Sequence, residues 1–225
     1  MNDDRPSAGD IEAEVIVNYN RWRTLANLAG SGGPYDEPDW EDGRLYFRSD
    51  YSEKVKKWPA WAESGYWGAW IIGPTQDNYF CVVQSLLHER AAERSEDIQA
   101  VFSHFGDAGK YIVLQVGNSL RYRLGLETLT TIWEARGLDP RIQVAPPEQD
   151  VVEFVLHGSP GLDREFAEKH LNKFVLQDDV SFYGFALPGE DINMQVLGLS
   201  FDDLSAALVE DMPDSITSQV ARWQG

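Results

Sequence analysis

Tyr66-Trp67-Gly68-Ala69-Trp70-Ile71-Ile72-Gly73-Pro74-Thr75-Gln76-Asp77-Asn78-Tyr79-Phe80-Cys81-Val82-Val83-Gln84-Ser85-Leu86-Leu87 is the stretch that sets the fold class. It holds two runs rich in aromatic and β-branched residues, Tyr66 to Ile72 and Tyr79 to Leu87. Gly73-Pro74 and Asp77-Asn78 between them supply turn chemistry. The pair reads as two strands joined by a short turn, and a connection that short makes them antiparallel. Alternation in Arg44-Leu45-Tyr46-Phe47-Arg48 adds a further short strand upstream. Cys81, the one cysteine of the chain, lies in the apolar run and reads as a small buried hydrophobe, so no disulfide forms within the chain.

Upstream of these strands, Ile11, Val15, Tyr19, Trp22, Leu25, Ala26 and Leu28 recur at helical spacing, with Asp10 as N-cap and Gly30 as the stop. Ser31-Gly32-Gly33-Pro34 breaks the chain, and the acidic run from Asp36 to Asp42 is expected as an exposed loop. Downstream, Ser95-Glu96-Asp97 reads as the cap of a helix carrying Ile98, Val101, Phe102 and Phe105 and ending at Gly106. A longer helix from near Asp107 places Tyr111, Ile112, Leu114, Gln115, Leu120 and Tyr122 on successive turns, although Gly117 costs about 1 kcal/mol against Ala. Leu129, Ile132 and Trp133 mark another, stopped by Gly137 and Pro140. Strands are expected at Arg141 to Val144, Val151 to His157, Val180 to Ala186 and Ile192 to Leu197. Helices are expected at Arg164 to Phe174 and, capped by Ser200, at Phe201 to Glu210.

Strands and helices in blocks, without a regular βαβ series, predict an α+β fold with a mainly antiparallel sheet packed with several amphipathic helices. The expectation is a single globular domain over residues 1–225, with Pro146-Pro147-Glu148 as the best internal boundary (146–150) and mobile ends at 1–9 and 214–225.

The formal charge of the chain is −18, from 37 acids against 19 Lys and Arg, yet it carries eight Trp, nine Tyr and ten Phe. Large rings in that number can bury a core while the acids stay outside, which gives an anionic, aromatic-dotted surface. Such a surface repels phosphate backbones and suits a basic protein partner. Lys54-Val55-Lys56-Lys57 is too short a basic patch to argue for nucleic acid. With no apolar stretch of membrane-spanning length and no basic, apolar leader, the reading is a cytoplasmic protein without a membrane partner. Residues 148–225 hold 15 acids against four bases, so the C-terminal third carries most of the imbalance.

The familiar catalytic arrangements fail one by one. His88-Glu89 opens like a zinc-protease helix, but position 92 is Ala where the second His is required. His104, His157 and His170 have no His or Cys at ligand spacing, and one cysteine excludes a thiolate zinc site. In His157-Gly158-Ser159-Pro160-Gly161 the glycine spacing of a nucleophile elbow is absent, and Pro160 removes the N–H that would help form an oxyanion hole, so it reads as a strand-to-helix turn. Gly30-Ser31-Gly32-Gly33 follows a helix, where a dinucleotide cradle needs a strand. Asp178-Asp179, Glu190-Asp191 and Asp202-Asp203 are adjacent pairs, read as solvated. Trp58, Trp61, Trp67 and Trp70 could form a carbohydrate platform, although Trp67 and Trp70 read as core. The expectation is no enzyme, no metal and no cofactor.

A series of phrases resembles the small actinobacterial immunity proteins that neutralise polymorphic toxins. The phrases are Leu25-Ala26-Asn27-Leu28-Ala29-Gly30, Asp42-Gly43-Arg44-Leu45-Tyr46-Phe47-Arg48-Ser49, Tyr79 to Val83, Phe105-Gly106-Asp107, Ser119 to Leu126 and Arg136-Gly137-Leu138-Asp139-Pro140. Over residues 20–145 the series is similar to the immunity protein 61 family and to antitoxins of the tuberculosis necrotizing toxin, an NAD-degrading toxin. The phrases are scaffold and assign no individual binding residue.

The resemblance implies an antitoxin that binds a cognate secreted toxin and sterically blocks its active site. Negative charge opposite a basic catalytic cleft speeds such an association and helps select the partner. Aromatic anchors ringed by polar residues dominate interfaces of this kind. Tyr35, Asp36, Glu37, Asp39, Trp40, Glu41 and Asp42 are therefore the expected contact residues, with Asp178, Asp179, Glu190 and Asp191 as a second patch. The alternatives are a hydrolase using two convergent carboxyls about 5 to 9.5 Å apart and a non-catalytic regulatory or scaffold protein.

Overall fold

The computed structural model of the chain describes residues 7–30, 35–49, 57, 68–75, 77–86 and 94–223. The decisive stretch forms β3 (Gly68–Pro74) and β4 (Phe80–Leu86), antiparallel, with Ile71 opposite Val83 and Ile72 opposite Val82. β2 (Arg44–Ser49) pairs with β3, and β1 (Asp39–Glu41) pairs with β2. The acidic run expected as a loop is thus partly a strand. Asp42 and Gly43, with φ of 50° and 75°, make the tight turn that returns β1 onto β2. An Asp-Gly pair tolerates positive φ at both central positions, which matches the twist of a hairpin.

β5 (Ser95–Phe102) stands where a helix was expected. It pairs with β4 along its length, with a bulge that places Ala100 opposite Val82 and Ile98 opposite Val83. The extra residue, Gln99, changes the spacing of inward positions from two to three, and that local step imitates a helical period. Three further segments differ. Val151 to His157 belong to the helix α4 (Gln149–Gly158), because Val151, Val152 and Val155 form one buried helical face. The helix begun at Arg164 ends at His170 (α5, Arg164–His170), and β7 (Asn172–Leu176) takes Phe174 into the sheet. Ile192 to Leu197 lie in a 3₁₀ helix, Asp191–Gly198, whose buried side chains follow no strand alternation.

The other elements follow the expected pattern. α1 is Ala8–Leu28, α2 Phe105–Arg123, α3 Leu129–Arg136 and α6 Phe201–Val209; β6 is Ile142–Ala145 and β8 Tyr183–Ala186. Ser7, in the N-terminal end expected to fray, caps α1, while Asp10 sits at the third helical position and completes a reciprocal capping box. The end expected to be mobile at the C-terminus includes α7 (Asp214–Val220), with Ile216 and Val220 buried.

The sheet is antiparallel throughout, in the order β1-β2-β3-β4-β5-β8-β7-β6. The fold is α+β. One face buries Leu45, Phe47, Ile72, Val82 and Phe102 beneath α1 and α2, and the other buries Ile71, Val83, Val101 and Phe185 beneath α4 and α5. Cys81 is in this second core; burial raises its thiol pKa, and the thiol donates to the carbonyl of Gly73. Gly117 is explained by close packing, since a Cβ there would lie 2.6 Å from Leu208 of α6.

α4 and α5 are clasped by a forked pair, Arg164 Nη1 and Nη2 to Glu153 Oε1 and Oε2 at 2.6 and 2.8 Å. These hydrogen bonds pull the Glu153 pKa from 4.5 to about 2. Because the folded value is the depressed one, the contribution of the pair is complete above 4.5 and is lost as pH falls through about 2. The expected result by side-chain carboxyl NMR is a Glu153 midpoint near 2 that returns toward 4.5 in Arg164→Gln. An identical midpoint in both proteins contradicts the clasp. The pair is exposed, so the stability change is small.

Candidate partner-binding site

β5 ends at Phe102 and α2 begins at Phe105, and polar and aromatic side chains gather at the two-residue junction between them. Ser103 Oγ accepts the N–H of Tyr183 and donates to the carbonyl of Ser181, both at 2.9 Å, which leaves His104 Nδ1 as the donor in its 2.9 Å contact with the same oxygen. His104 occupies the N-cap position of α2 without a side-chain cap bond and stacks on Phe182, ring centroids 4.1 Å apart. Asp107, in the first turn of α2, suits the positive end of the helix dipole. Its carboxyl is buried, and burial raises its pKa against the opposing pull of Lys110 and His104. Lys110 Nζ lies 2.7 Å from Asp107 Oδ1 and donates to the carbonyl of Leu199. Asp107 Oδ2 has no hydrogen-bond partner among the described residues.

Asp107 and Lys110 line a cavity of about 710 Å³ with Ile11 and Glu14 of α1, Phe182 before β8, and Phe201 at the start of α6. Asp179, in the β7–β8 turn, also lines it. On the hairpin side of the α2 start, Trp40 is 44% exposed and stacks on Phe105, the first residue of the helix, at 6.2 Å and 14°. Phe80 meets the same ring edge-on.

The two expected patches fare differently residue by residue. Glu37, Asp39, Trp40, Glu41 and Asp42 are exposed. Glu37 pairs with Arg23 at 2.7 Å, and Asp39 and Glu41 both pair with Arg48, so the hairpin is braced by cations at its base. Tyr35 and Asp36 are half-buried and tied through their backbones, Tyr35 to the Asn27 amide and Asp36 by accepting from the Tyr19 hydroxyl. Asp178 and Asp179 are exposed, with Asp179 Oδ1 accepting from the Ser181 N–H and hydroxyl. Glu190 is half-buried and accepts from the Tyr111 hydroxyl and from Asn193 Nδ2, so it holds α2 to the 3₁₀ helix. Asp191 is exposed, and its Oδ1 accepts the N–H of Ile192. Trp40 and Asp179 therefore flank one feature, the start of α2, whereas Glu190 belongs to the frame.

Trp70 is half-buried edge-on to Tyr111, while Trp58, Trp61, Trp67, Lys54 to Lys56 and His88-Glu89 lie outside the described residues. Among the described residues no group of three or more His, Cys, Asp or Glu is placed to hold a metal ion, and no helix is long and apolar enough to cross a membrane.

The fold is similar to that of Rv3902c from M. tuberculosis. The likeness has a TM-score of 0.50 and covers 86% of this chain and 87% of that one, with 12% of residues identical. At that identity the fold is what is shared. No protein-family model matches the chain, and no curated protein matches its sequence.

Residues His104, Asp107, Lys110, Ile11, Glu14, Phe182 and Phe201 were not expected at a site. The signal present in sequence was the spacing of Asp107 and Lys110, three apart on one helix face.

Proposed function

We propose that the chain is an immunity protein that binds a cognate secreted toxin and blocks substrate access to its active site. The observation that carries this reading is Trp40, a large exposed ring on a short acidic hairpin with Asp39 and Glu41 paired to Arg48. A turn closed by Asp42-Gly43 and ion pairs at the base hold the hairpin in one shape before binding, which lowers the ordering cost of association. Its charge suits a basic cleft. Two further observations support the reading: the antitoxin-like phrases over residues 20–145, and a fold similar to that of a mycobacterial protein. By the same resemblance the finer proposal is an NAD-degrading toxin.

The test is co-expression with the toxin encoded by the adjacent reading frame. The expected result is a stable complex in which the toxin is inactive. An unrelated neighbouring gene together with no toxin binding removes the proposal. In the complex, Trp40→Ala is expected to raise Kd by about fivefold or more, the loss of an anchor worth roughly 1 kcal/mol or above. Unchanged affinity moves the interface away from the hairpin.

A further inference from the structure

We infer that β1 is an open sheet edge that takes an extended segment of the protein partner as an added antiparallel strand, selecting an apolar residue between two basic ones; that the partner is a toxin rests on the proposed function. β1 is one edge of the sheet, and among the described residues no strand lies beyond it. All three of its residues are exposed. The two-residue turn Asp42-Gly43 makes Glu41 and Arg44 the hydrogen-bonded pair that closes the hairpin. Alternation along an antiparallel ladder then makes Trp40 and Leu45 a non-hydrogen-bonded pair, so the Trp40 N–H and C=O point away from β2. They are a donor and an acceptor spaced for one residue of an incoming strand. Pro38 has no N–H to offer, which centres the open edge on Trp40.

The side chains of β1 decide what that strand carries. Directly paired residues share a face of the sheet, so the residue opposite Trp40 meets its ring. The ring is held against Phe105 at 6.2 Å, with Phe80 edge-on to Phe105, and an apolar side chain extends that stack. The residues on either side of it fall opposite Asp39 and Glu41, on the other face. These two exposed carboxylates share one guanidinium, that of Arg48, while Arg44, the register partner of Glu41, is taken by Glu96. That face of β1 is therefore left negative among the described residues, and a Lys or Arg opposite each carboxylate complements it. A second copy of β1 paired through Trp40 would set Asp39 against Glu41 at both ends, so the charges that favour a basic strand repel a second copy. β6, the opposite edge, offers less, because the Ile142 N–H is already bonded to the Asp139 carbonyl and Pro146-Pro147 follow the strand.

The probe is the capped peptide acetyl-Thr-Lys-Val-Lys-Thr-amide, titrated into the full chain and followed by amide NMR. One control replaces both Lys by Glu. The other is N-methylated at Val, which keeps the charges and the apolar side chain and removes the N–H that meets the Trp40 carbonyl. The expected result with the lysine peptide is saturable movement of the Trp40 amide and slowed hydrogen exchange there. The N-methyl peptide is expected to bind about fivefold or more weakly, the loss of one hydrogen bond, and the glutamate peptide not to bind. No movement at Trp40 with the lysine peptide, or equal binding by either control, overturns the added strand. The toxin-binding experiment is read separately. A toxin bound by a protein whose hairpin ignores the lysine peptide leaves the immunity reading standing and the added strand refuted. A hairpin that takes the peptide in a protein that binds no neighbouring toxin does the reverse.

Discussion

Arg121→Met is expected to cost about 3 kcal/mol or more of folding stability, because a buried acceptor left unpaired costs roughly 1–3 kcal/mol and this residue serves several. Arg121 is 2% exposed, near the end of α2. Its Nε donates to the carbonyl of Glu127 at 2.7 Å, and its Nη1 donates to those of Leu208 at 2.8 Å and Glu210 at 2.7 Å. The last two carbonyls lie at the C-terminus of α6, where helix geometry leaves acceptors without intrahelical partners and the dipole is negative. One planar fork thus ties α2, the approach to α3 and the end of α6 together. Burial lowers the guanidinium pKa, while Asp211, Glu210 and Glu127 pull it back, and an arginine stays charged regardless. Met fills much of the space but donates nothing. Lys supplies a point charge that cannot reach all of these carbonyls in the fixed fork geometry, so Arg121→Lys recovers only part of the loss. Urea unfolding with an unchanged slope and a lowered midpoint is the expected reading. A Met variant within about 1 kcal/mol of the parent contradicts the role.

Arg121 also shows where sequence reasoning reverses. By polarity, Tyr122 belongs to the core and Arg121 to solvent, yet Tyr122 is 77% exposed and Arg121 is buried. The carbonyls that reward the arginine come from residues 127, 208 and 210, too far along the chain to be anticipated. What was legible is local. The β3–β4 hairpin, α1, and the α6 start capped by Ser200 each follow from turn chemistry, helical spacing or a cap within a few residues. The misread segments are those where tertiary pairing decides. A bulge gave β5 a helix-like spacing, and the Val151-Val152 run fits a strand or one face of α4 equally well until the sheet beneath it is known.

The site divides in the same way. The acidity and the lone ring around Trp40 could be read directly, while the hairpin that carries them was expected as a loop. The cavity at the start of α2 could not. It draws on α1, α2, the β7–β8 turn and α6, and its central residue is an ordinary Asp in a helix start. Of the acids in the C-terminal third, Asp179 of the β7–β8 turn lines the cavity.

Gly109→Ala tests how closely α1 packs on α2. In the middle of a helix, alanine ordinarily gains about 1 kcal/mol over glycine. Here a Cβ would fall 2.3 Å from Val15 Cγ2 and 2.7 Å from Cγ1. Val15 is fully buried and β-branched, so it has almost no alternative rotamer to adopt. The strain must pass to the helix, and α1 also seats Tyr19 and Trp22 in the main core, with Trp22 Nε1 donating to Ser205 of α6 at 3.1 Å. Overpacking of this kind costs about 1–3 kcal/mol and outweighs the propensity gain, so the expected outcome is a lower unfolding midpoint. Val15→Ala in the same chain removes the two methyls that clash. The double variant is therefore expected to be more stable than the two single losses predict, a non-additivity that a general packing defect does not give. Strictly additive stabilities contradict the contact.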